Sequence, residues 1–174
     1  MTKILESCPN FIGGEWCTVT DVTGTTPVHN PSTGDVIAET PMCSAKHVSE
    51  AVEAAAAAFP AWWKTPPVER ARVLFKFKML LEEDFEELVR SNTREHGKTL
   101  VESRGDVKRG VEMVEFACGV PSLLMGEVLE NVARGIDCET IRQPLGVCAG
   151  ITPFNFPAMV PLWMYPVAIA CGNT

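Results

Sequence analysis

The sequence has 174 residues, of which 46% are hydrophobic and 21% charged, an ordinary globular balance that excludes a disordered tail. That length supports one domain, or one domain with part of another. A net charge of −7 and a pI near 5.0 argue against nucleic acid or an anionic membrane surface as partner, because both need clustered Lys and Arg.

Seven cysteines (Cys8, Cys17, Cys43, Cys118, Cys138, Cys148, Cys171) are odd in number and never spaced C-x-x-C. A reduced, cytoplasmic compartment fits this better than a disulfide framework. The opening MTKILESCPNF has neither a long apolar core nor an Arg-rich amphipathic helix, so no export or transit signal is expected.

Residues 11–43 read as short strands with turns. Phe11-Ile12-Gly13-Gly14-Glu15-Trp16 places a Gly-Gly pair between bulky apolar residues, a hairpin signal. Thr26–His29 leads into the turn formers Asn30-Pro31-Ser32-Thr33-Gly34-Asp35, and Val36–Thr40 is a second strand ended by Pro41. Ser44 suits the N-cap of a helix carrying Val48, Val52, Ala55 and Phe59, which Pro60 should stop. Trp62-Trp63 then falls in a connection, as an anchor to a neighbouring element.

Pro66-Pro67 opens a helix with Leu74, Phe77 and Leu81 on one face. The acidic run 82–87 starts the next one, which reaches His96-Gly97, and reads as a solvated face. Gly97-Lys98-Thr99 is not a phosphate loop, since position 92 is Asn where that motif needs Gly. A longer helix is expected from about Thr99 to Leu124, with Val107, Val111, Val114 and Cys118 as its core stripe and Pro121 ending or kinking it. Gly105 and Gly110 weaken that helix locally and permit close helix approach. Asp137–Gln143 alternates polar and apolar, a half-exposed strand of the kind that pairs with another subunit.

The last thirty residues, Leu145–Thr174, contain no charged side chain. They read as a buried strand, a polar turn over Thr152–Pro157, and a buried helix. Gly172-Asn173 supplies C-cap chemistry. A parallel α/β unit calls for a return strand after such a helix, so the sequence reads as the opening part of a larger sheet. Asn155 sits where open α/β sheets place their ligands. Its carboxamide suits an oxyanion donor, and equally suits a cap for a helix beginning at Pro157; spacing leaves both open. A membrane span over 145–171 is disfavoured by Pro153, Pro157, Pro161 and Pro166.

His29, His47 and His96 lack metal-site spacing and are expected at the surface or in caps, so no metal is expected. Cys148 and Cys171 lie in apolar runs and are expected as small core residues rather than nucleophiles.

The stretches FIGGEW (11–16), HNPSTGDVI (29–37), EHGKTLVESRGDVKRG (95–110) and GVCAGITPFNFPAMVPLWMYPVAIACGNT (146–174) resemble the aldehyde dehydrogenase superfamily, and within it the CoA-acylating methylmalonate-semialdehyde branch. The resemblance implies an α/β fold, the N-terminal part of the aldehyde dehydrogenase fold. Strands and helices would fill 1–130, an oligomerisation strand 131–144, and the first β-α unit of a Rossmann-like NAD-binding core 145–174. It further implies that Asn155 is the oxyanion amide and that Thr152 and Phe154 contact NAD near its nicotinamide half. Ile151 and Pro153 would shape the wall. The substrate would be a small aldehyde, the acyl acceptor CoA, and the full-length protein a homo-oligomer. The family's cysteine nucleophile, general-base glutamate, ribose-binding lysine and phosphate loop have no match in these residues, so this chain alone is expected to be inactive. The alternative is a non-catalytic module that pairs with full-length dehydrogenase subunits.

Overall fold

The computed structural model describes residues 6–174; residues 1–5, part of the segment read for an export signal, lie outside the described residues. Strands β1 (Glu6–Ser7), β4 (Thr25–His29) and β5 (Val36–Pro41) form one sheet in the order β1-β5-β4. In it β1 runs parallel to β5 and β4 antiparallel. Strands β2 (Asn10–Ile12) and β3 (Glu15–Cys17) form the expected hairpin. Gly13 and Gly14 have φ of +63° and +85°, the left-handed pair that a tight hairpin turn requires. Phe11 and Trp16 face each other across it, 4.8 Å between ring centroids.

Helix α1 (Ala45–Lys64) begins at Ser44 as expected, and the N–H of Ser44 donates to His47 Nδ1 at 3.0 Å. It does not stop at Pro60. The helix continues through that proline, and Trp62 and Trp63 occupy its last turn rather than a connection. An internal proline costs about 3 kcal/mol. Two contacts offset this: the Trp62 indole donates to the carbonyl of Ile169 at 2.9 Å, and Trp63 stacks on Phe59 one turn back, 5.9 Å between centroids. Trp62 is thus the anchor that the sequence suggested.

Helices α2 (Pro67–Glu83), α3 (Phe85–His96) and α4 (Leu100–Cys118) follow, and Gly97 reverses the chain after α3 with φ +83°. The single helix expected to reach Leu124 breaks at Gly119 into α4 and a short α5 (Val120–Leu123), with Pro121 in the first turn of α5. The α4 stripe of Val107, Val111, Val114 and Cys118 is buried, as its spacing predicts. One cluster joins Val107 and Val111 to Val89 of α3; a second joins Ala117 and Cys118 to Leu74 of α2. The expected close approach is real at Gly110, where an added Cβ would lie 2.4 Å from Leu162 Cδ1. At Gly105 it is not: nothing lies within 4 Å.

The strand expected over Asp137–Gln143 is found only as far as Glu139, as the second arm of a hairpin, β6 (Val128–Ala133) with β7 (Ile136–Glu139); residues 140–143 are irregular. Every residue of both arms is exposed. The first arm escapes periodicity because its register shifts between Leu129 and Ala133, where Asn131 takes φ +53°.

Helix α6 (Met159–Ala170) buries Met159, Val160, Leu162, Pro166 and Ala170. It ends in a Schellman motif: Gly172 N–H donates to Ile169 O and Asn173 N–H to Ala168 O, at 2.9 and 3.0 Å, with Gly172 at φ +95°. The buried strand expected over 145–151 is corrected. Leu145 and Ile151 are 93% and 94% exposed, and the segment forms no ladder. A strand exists only where neighbours satisfy its backbone, and here only Val147 is paired. Cys148 N–H donates to Thr174 O at 2.7 Å and Thr174 N–H to Gly146 O at 3.1 Å. That pair of bonds is a single parallel bridge across α6, the first rung of a β-α-β unit. Among the described residues no helix is long and apolar enough to cross a membrane.

The Gly110 contact predicts that Gly110→Val lowers stability by about 1–3 kcal/mol through overpacking. Gly105→Ala, on the open side of the same helix, should raise it by about 0.5–1 kcal/mol. Urea unfolding of the two variants checks this; equal responses would contradict the packing described.

Candidate functional site

The turn from Ile151 to Ala158 joins the bridged segment to α6, and its placement depends on residues far away in sequence. Gly97 turns the chain sharply after α3, so closely that a Cβ there would lie 2.6 Å from Pro31 Cγ. Lys98 comes next, and Thr99 caps α4. The Glu102 carboxylate accepts the Thr99 N–H at 3.0 Å and its hydroxyl at 2.8 Å, while Thr99 Oγ1 accepts the Glu102 N–H at 3.3 Å.

Two turns into α4, Asp106 points inward with a fully buried side chain. Its Oδ2 accepts from Lys98 Nζ at 2.9 Å and Asn92 Nδ2 at 3.0 Å; its Oδ1 accepts the N–H of Met159 at 2.8 Å. Met159 is the first residue of α6, whose own N-cap, Ala158, has no side-chain oxygen. Asp106 therefore caps α6 from a neighbouring helix, placing negative charge at the positive end of the helix dipole. Lys98 completes the arrangement by lying 3.9 Å above the centre of the Phe156 ring. Removing one partner of a buried, bonded ion pair costs about 3–5 kcal/mol, so the turn is held firmly.

Asn155 lies on this turn, exposed, and its carboxamide makes no hydrogen bond among the described residues. It is not the helix cap: α6 starts at Met159 rather than Pro157, and the capping oxygen is Asp106's. Ile151, Thr152, Pro153 and Phe154 are also exposed. Thr152 lines a cavity of about 480 Å³ with Cys148, Met164 and Tyr165. Phe154 lines another, of about 340 Å³, with His29 and His96. The two are not brought into one cavity by these residues. A third cavity, about 690 Å³, has Phe156, Met113, Met159 and Trp163 as apolar walls beside Lys98 and Arg109. Arg109 also pairs with Glu112 at 2.9 Å, both side chains well exposed.

At two cysteines burial works against a thiolate. Burial pushes the Cys118 thiol up. The same effect raises Cys171, against the pull of the Arg70 guanidinium. Cys148 is exposed, not the core residue expected, and its thiol faces only the carbonyl of Gly146 at 3.8 Å. His47 caps α1 and His29 lies exposed beside the turn carbonyl of Gly34, as expected, whereas His96 is half-buried with its Nδ1 enclosed rather than at the surface or in a cap. Among the described residues no three His, Cys, Asp or Glu side chains are grouped to hold a metal ion.

Sequence reasoning missed Asp106, although a signal was present. It precedes Gly110 by one turn, on the same stripe as Val107 and Val114. A carboxylate on the apolar face of a helix calls for buried donors. Arg70 carries the same signal one turn before Leu74. It is buried, donating from Nε to Ala170 O at 2.9 Å and from Nη1 to the carbonyls of Trp63 and Thr65.

The aldehyde dehydrogenase family profile matches residues 16–174. The chain belongs to the aldehyde dehydrogenase family. It is 50% identical to a malonate-semialdehyde dehydrogenase of Bacillus pumilus, over all of this chain and 36% of that protein. A malonate-semialdehyde dehydrogenase of Pseudomonas aeruginosa is 53% identical, over 95% of this chain and 33% of the relative. Among solved structures, the methylmalonate-semialdehyde dehydrogenase of Oceanimonas doudoroffii superimposes with a TM-score of 0.92 at 49% identity, covering 97% of this chain and 34% of that one. A Sinorhizobium meliloti protein described as a methylmalonate-semialdehyde dehydrogenase and solved with NAD gives 0.94 at 43%, covering 99% and 35%. This aldehyde dehydrogenase chain thus spans about a third of the length of these relatives. Its α/β architecture is the N-terminal part of their fold, and its resemblance to the methylmalonate-semialdehyde branch holds over nearly all of its residues.

The Thr99–Glu102 cap sets an acid limit on stability. The main-chain and hydroxyl hydrogen bonds from Thr99 hold the Glu102 carboxyl below its ordinary value of 4.5. A depressed folded-state pKa adds stability that is complete above the unfolded value and lost as pH falls through the folded one. Glu102→Gln should therefore lower thermal stability at pH 7, where the contribution of the carboxylate is complete, and flatten the further loss below about pH 4.5. A melting series from pH 7 to 3 checks this; an unchanged acid limb would contradict it.

Proposed function

We propose that these residues form the N-terminal third of an NAD-dependent semialdehyde dehydrogenase of the malonate or methylmalonate type. The observation that carries the reading is the Asp106-held turn, which presents an unbonded carboxamide at the entry to α6. There the Asn155 NH₂ donates to the oxygen of the aldehyde as it gains negative charge. Thr152 and Phe154 would contact the nicotinamide half of NAD, and Ile151 and Pro153 would shape the wall beside it. The exposure of all four and the cavity beside Thr152, within the usual size range for ligand pockets, fit that use. NAD, when bound, supplies the hydride acceptor, and CoA takes the acyl group.

The nucleophilic thiolate and the general base come from outside residues 1–174, so this chain alone reduces no NAD. The apolar cavity beside Phe156 admits the short carbon chain of the substrate. A semialdehyde of malonate carries a carboxylate at its far end. Arg109 is the cation there that is free to exchange a weak, exposed partner for it, because Lys98 is held by Asp106. Residues 1–130 and 145–174 belong to the cofactor-binding domain, and 131–144 to an oligomerisation ribbon of a homo-oligomer. The exposed β6–β7 hairpin supports this last point, since a free strand edge pairs readily.

The test joins residues 1–174 to the remaining two-thirds of the Bacillus pumilus relative, in place of that protein's own segment. The joined protein should reduce NAD with malonate semialdehyde, and Asn155→Ala should lower kcat by about 10²–10³. Residues 1–174 alone should give no signal. Turnover by the chain alone, or an unaffected Asn155→Ala protein, would contradict the assignment.

The same hairpin favours a second reading, in which the chain is a non-catalytic module that pairs with intact dehydrogenase subunits. Size-exclusion chromatography with the intact relative decides it: co-elution that is lost when a proline is placed in β7 supports the module, and separate elution ends it.

A further inference from the structure

We propose that Lys98 is a positioning residue for the Asn155 carboxamide, acting through the Phe156 ring and the Asp106 carboxylate. The proposal rests on the reading of Asn155 as the oxyanion donor. Because that amide makes no hydrogen bond among the described residues, its aim follows the backbone of its turn. That backbone is held at two points just beyond Asn155. Phe156, the next residue, has its ring under the Lys98 ammonium at 3.9 Å. Met159 gives its N–H to Asp106 Oδ1 at 2.8 Å. One carboxylate governs both points, because Oδ2 of Asp106 fixes the Lys98 ammonium at 2.9 Å.

Lys98 is suited to this task by its own surroundings. Its backbone is set between the left-handed Gly97 and the Thr99 cap of α4. Its side chain is only 13% exposed, and an ammonium over a ring is held more strongly when water is kept away. Two charge-based contacts are thereby added to the apolar packing of Ala158 against Val89, Val107 and Val111 that also holds the turn to α4. An oxyanion donor displaced by about 1 Å loses much of its effect, so a tether of this kind bears on rate rather than on binding.

The decisive experiment is a double-mutant cycle in the joined dehydrogenase. Lys98→Met should lower kcat by about ten- to a hundredfold with little change in KM, and Lys98→Arg, which keeps a cation over the ring, should recover most of the rate. In an Asn155→Ala background Lys98→Met should cost nothing more, since the group it aims is gone. Equal losses in both backgrounds would show a merely structural role and overturn the proposal. Should Asn155→Ala itself leave kcat unchanged, the oxyanion reading falls alone. Tethering is then decided on residues 1–174 by amide hydrogen exchange. That measurement also decides it if Lys98→Met does not fold. Phe156→Leu keeps the buried ion pair and removes only the ring. It should speed exchange at Met159 and Val160, whose N–H groups are bonded to Asp106 and to the Phe156 carbonyl, by about tenfold and leave α3 and α4 unchanged. Unchanged exchange at these two amides would overturn the proposal.

Discussion

The carboxylate of Asp106 is the constraint on which the rest of this structure depends. It satisfies donors from three other segments at once: Asn92 on α3, Lys98 in the connection, and the first N–H of α6. An ionised carboxylate without these partners would be intolerable at full burial. With them it links three helices, adding a fixed polar point to the apolar seating of Leu162 against Gly110. Asn92 Oδ1 and the nearby His96 Nδ1 are buried without a partner among the described residues, so the polar network is complete at Asp106 and incomplete at its edge. Such incompleteness is tolerated where a carbonyl or ring nitrogen is merely crowded, and is costly where a charge is.

A second polar device works at the opposite end of α6. Arg70 reaches the carbonyl of Ala170 through Nε and those of Trp63 and Thr65 through Nη1. A cation at the negative ends of two helices needs no carboxylate partner. Beside it, the Asn173 carboxamide accepts the N–H groups of Leu145 and Gly146 at 2.7 and 3.1 Å. Thr174 Oγ1 donates to Ala55 O at 2.9 Å. These bonds bring the two ends of the 145–174 unit side by side and tie both to α1. The parallel bridge of Val147 to Thr174 is a consequence of this placement. The helix that crosses between them is therefore fixed at its start by a carboxylate and at its end by a guanidinium.

Exposed apolar side chains occur along the chain, and the most exposed lie in the 145–156 segment. Leu145, Ile151 and Phe154 are almost fully exposed, and the α1 stripe of Val48 and Val52 is open beside the 147–150 segment. In the reading proposed for the whole dehydrogenase, this surface faces the remainder of the cofactor-binding sheet. That accounts for a strand-like sequence that is extended here without a ladder. A fully apolar run carries the information that it will be buried, but not by what.

Local rules determined most of the elements from the sequence. The Gly13-Gly14 hairpin, the Ser44 cap, Gly97 and Gly172 as helix stops, and the stripe from Val107 to Cys118 all follow from turn, capping and periodicity chemistry within a few residues. The motif around Asn155 was legible for the same reason, as was the family. Only the tertiary structure decided that α1 runs through Pro60, because the bond that holds its last turn comes from Ile169, 107 positions away. It alone decided that α6 starts at Met159 and is capped by Asp106, so that Asn155 is left unbonded. Periodicity reports which face a residue occupies. It does not report which distant donor meets a buried charge, and here that meeting sets the geometry of the candidate site.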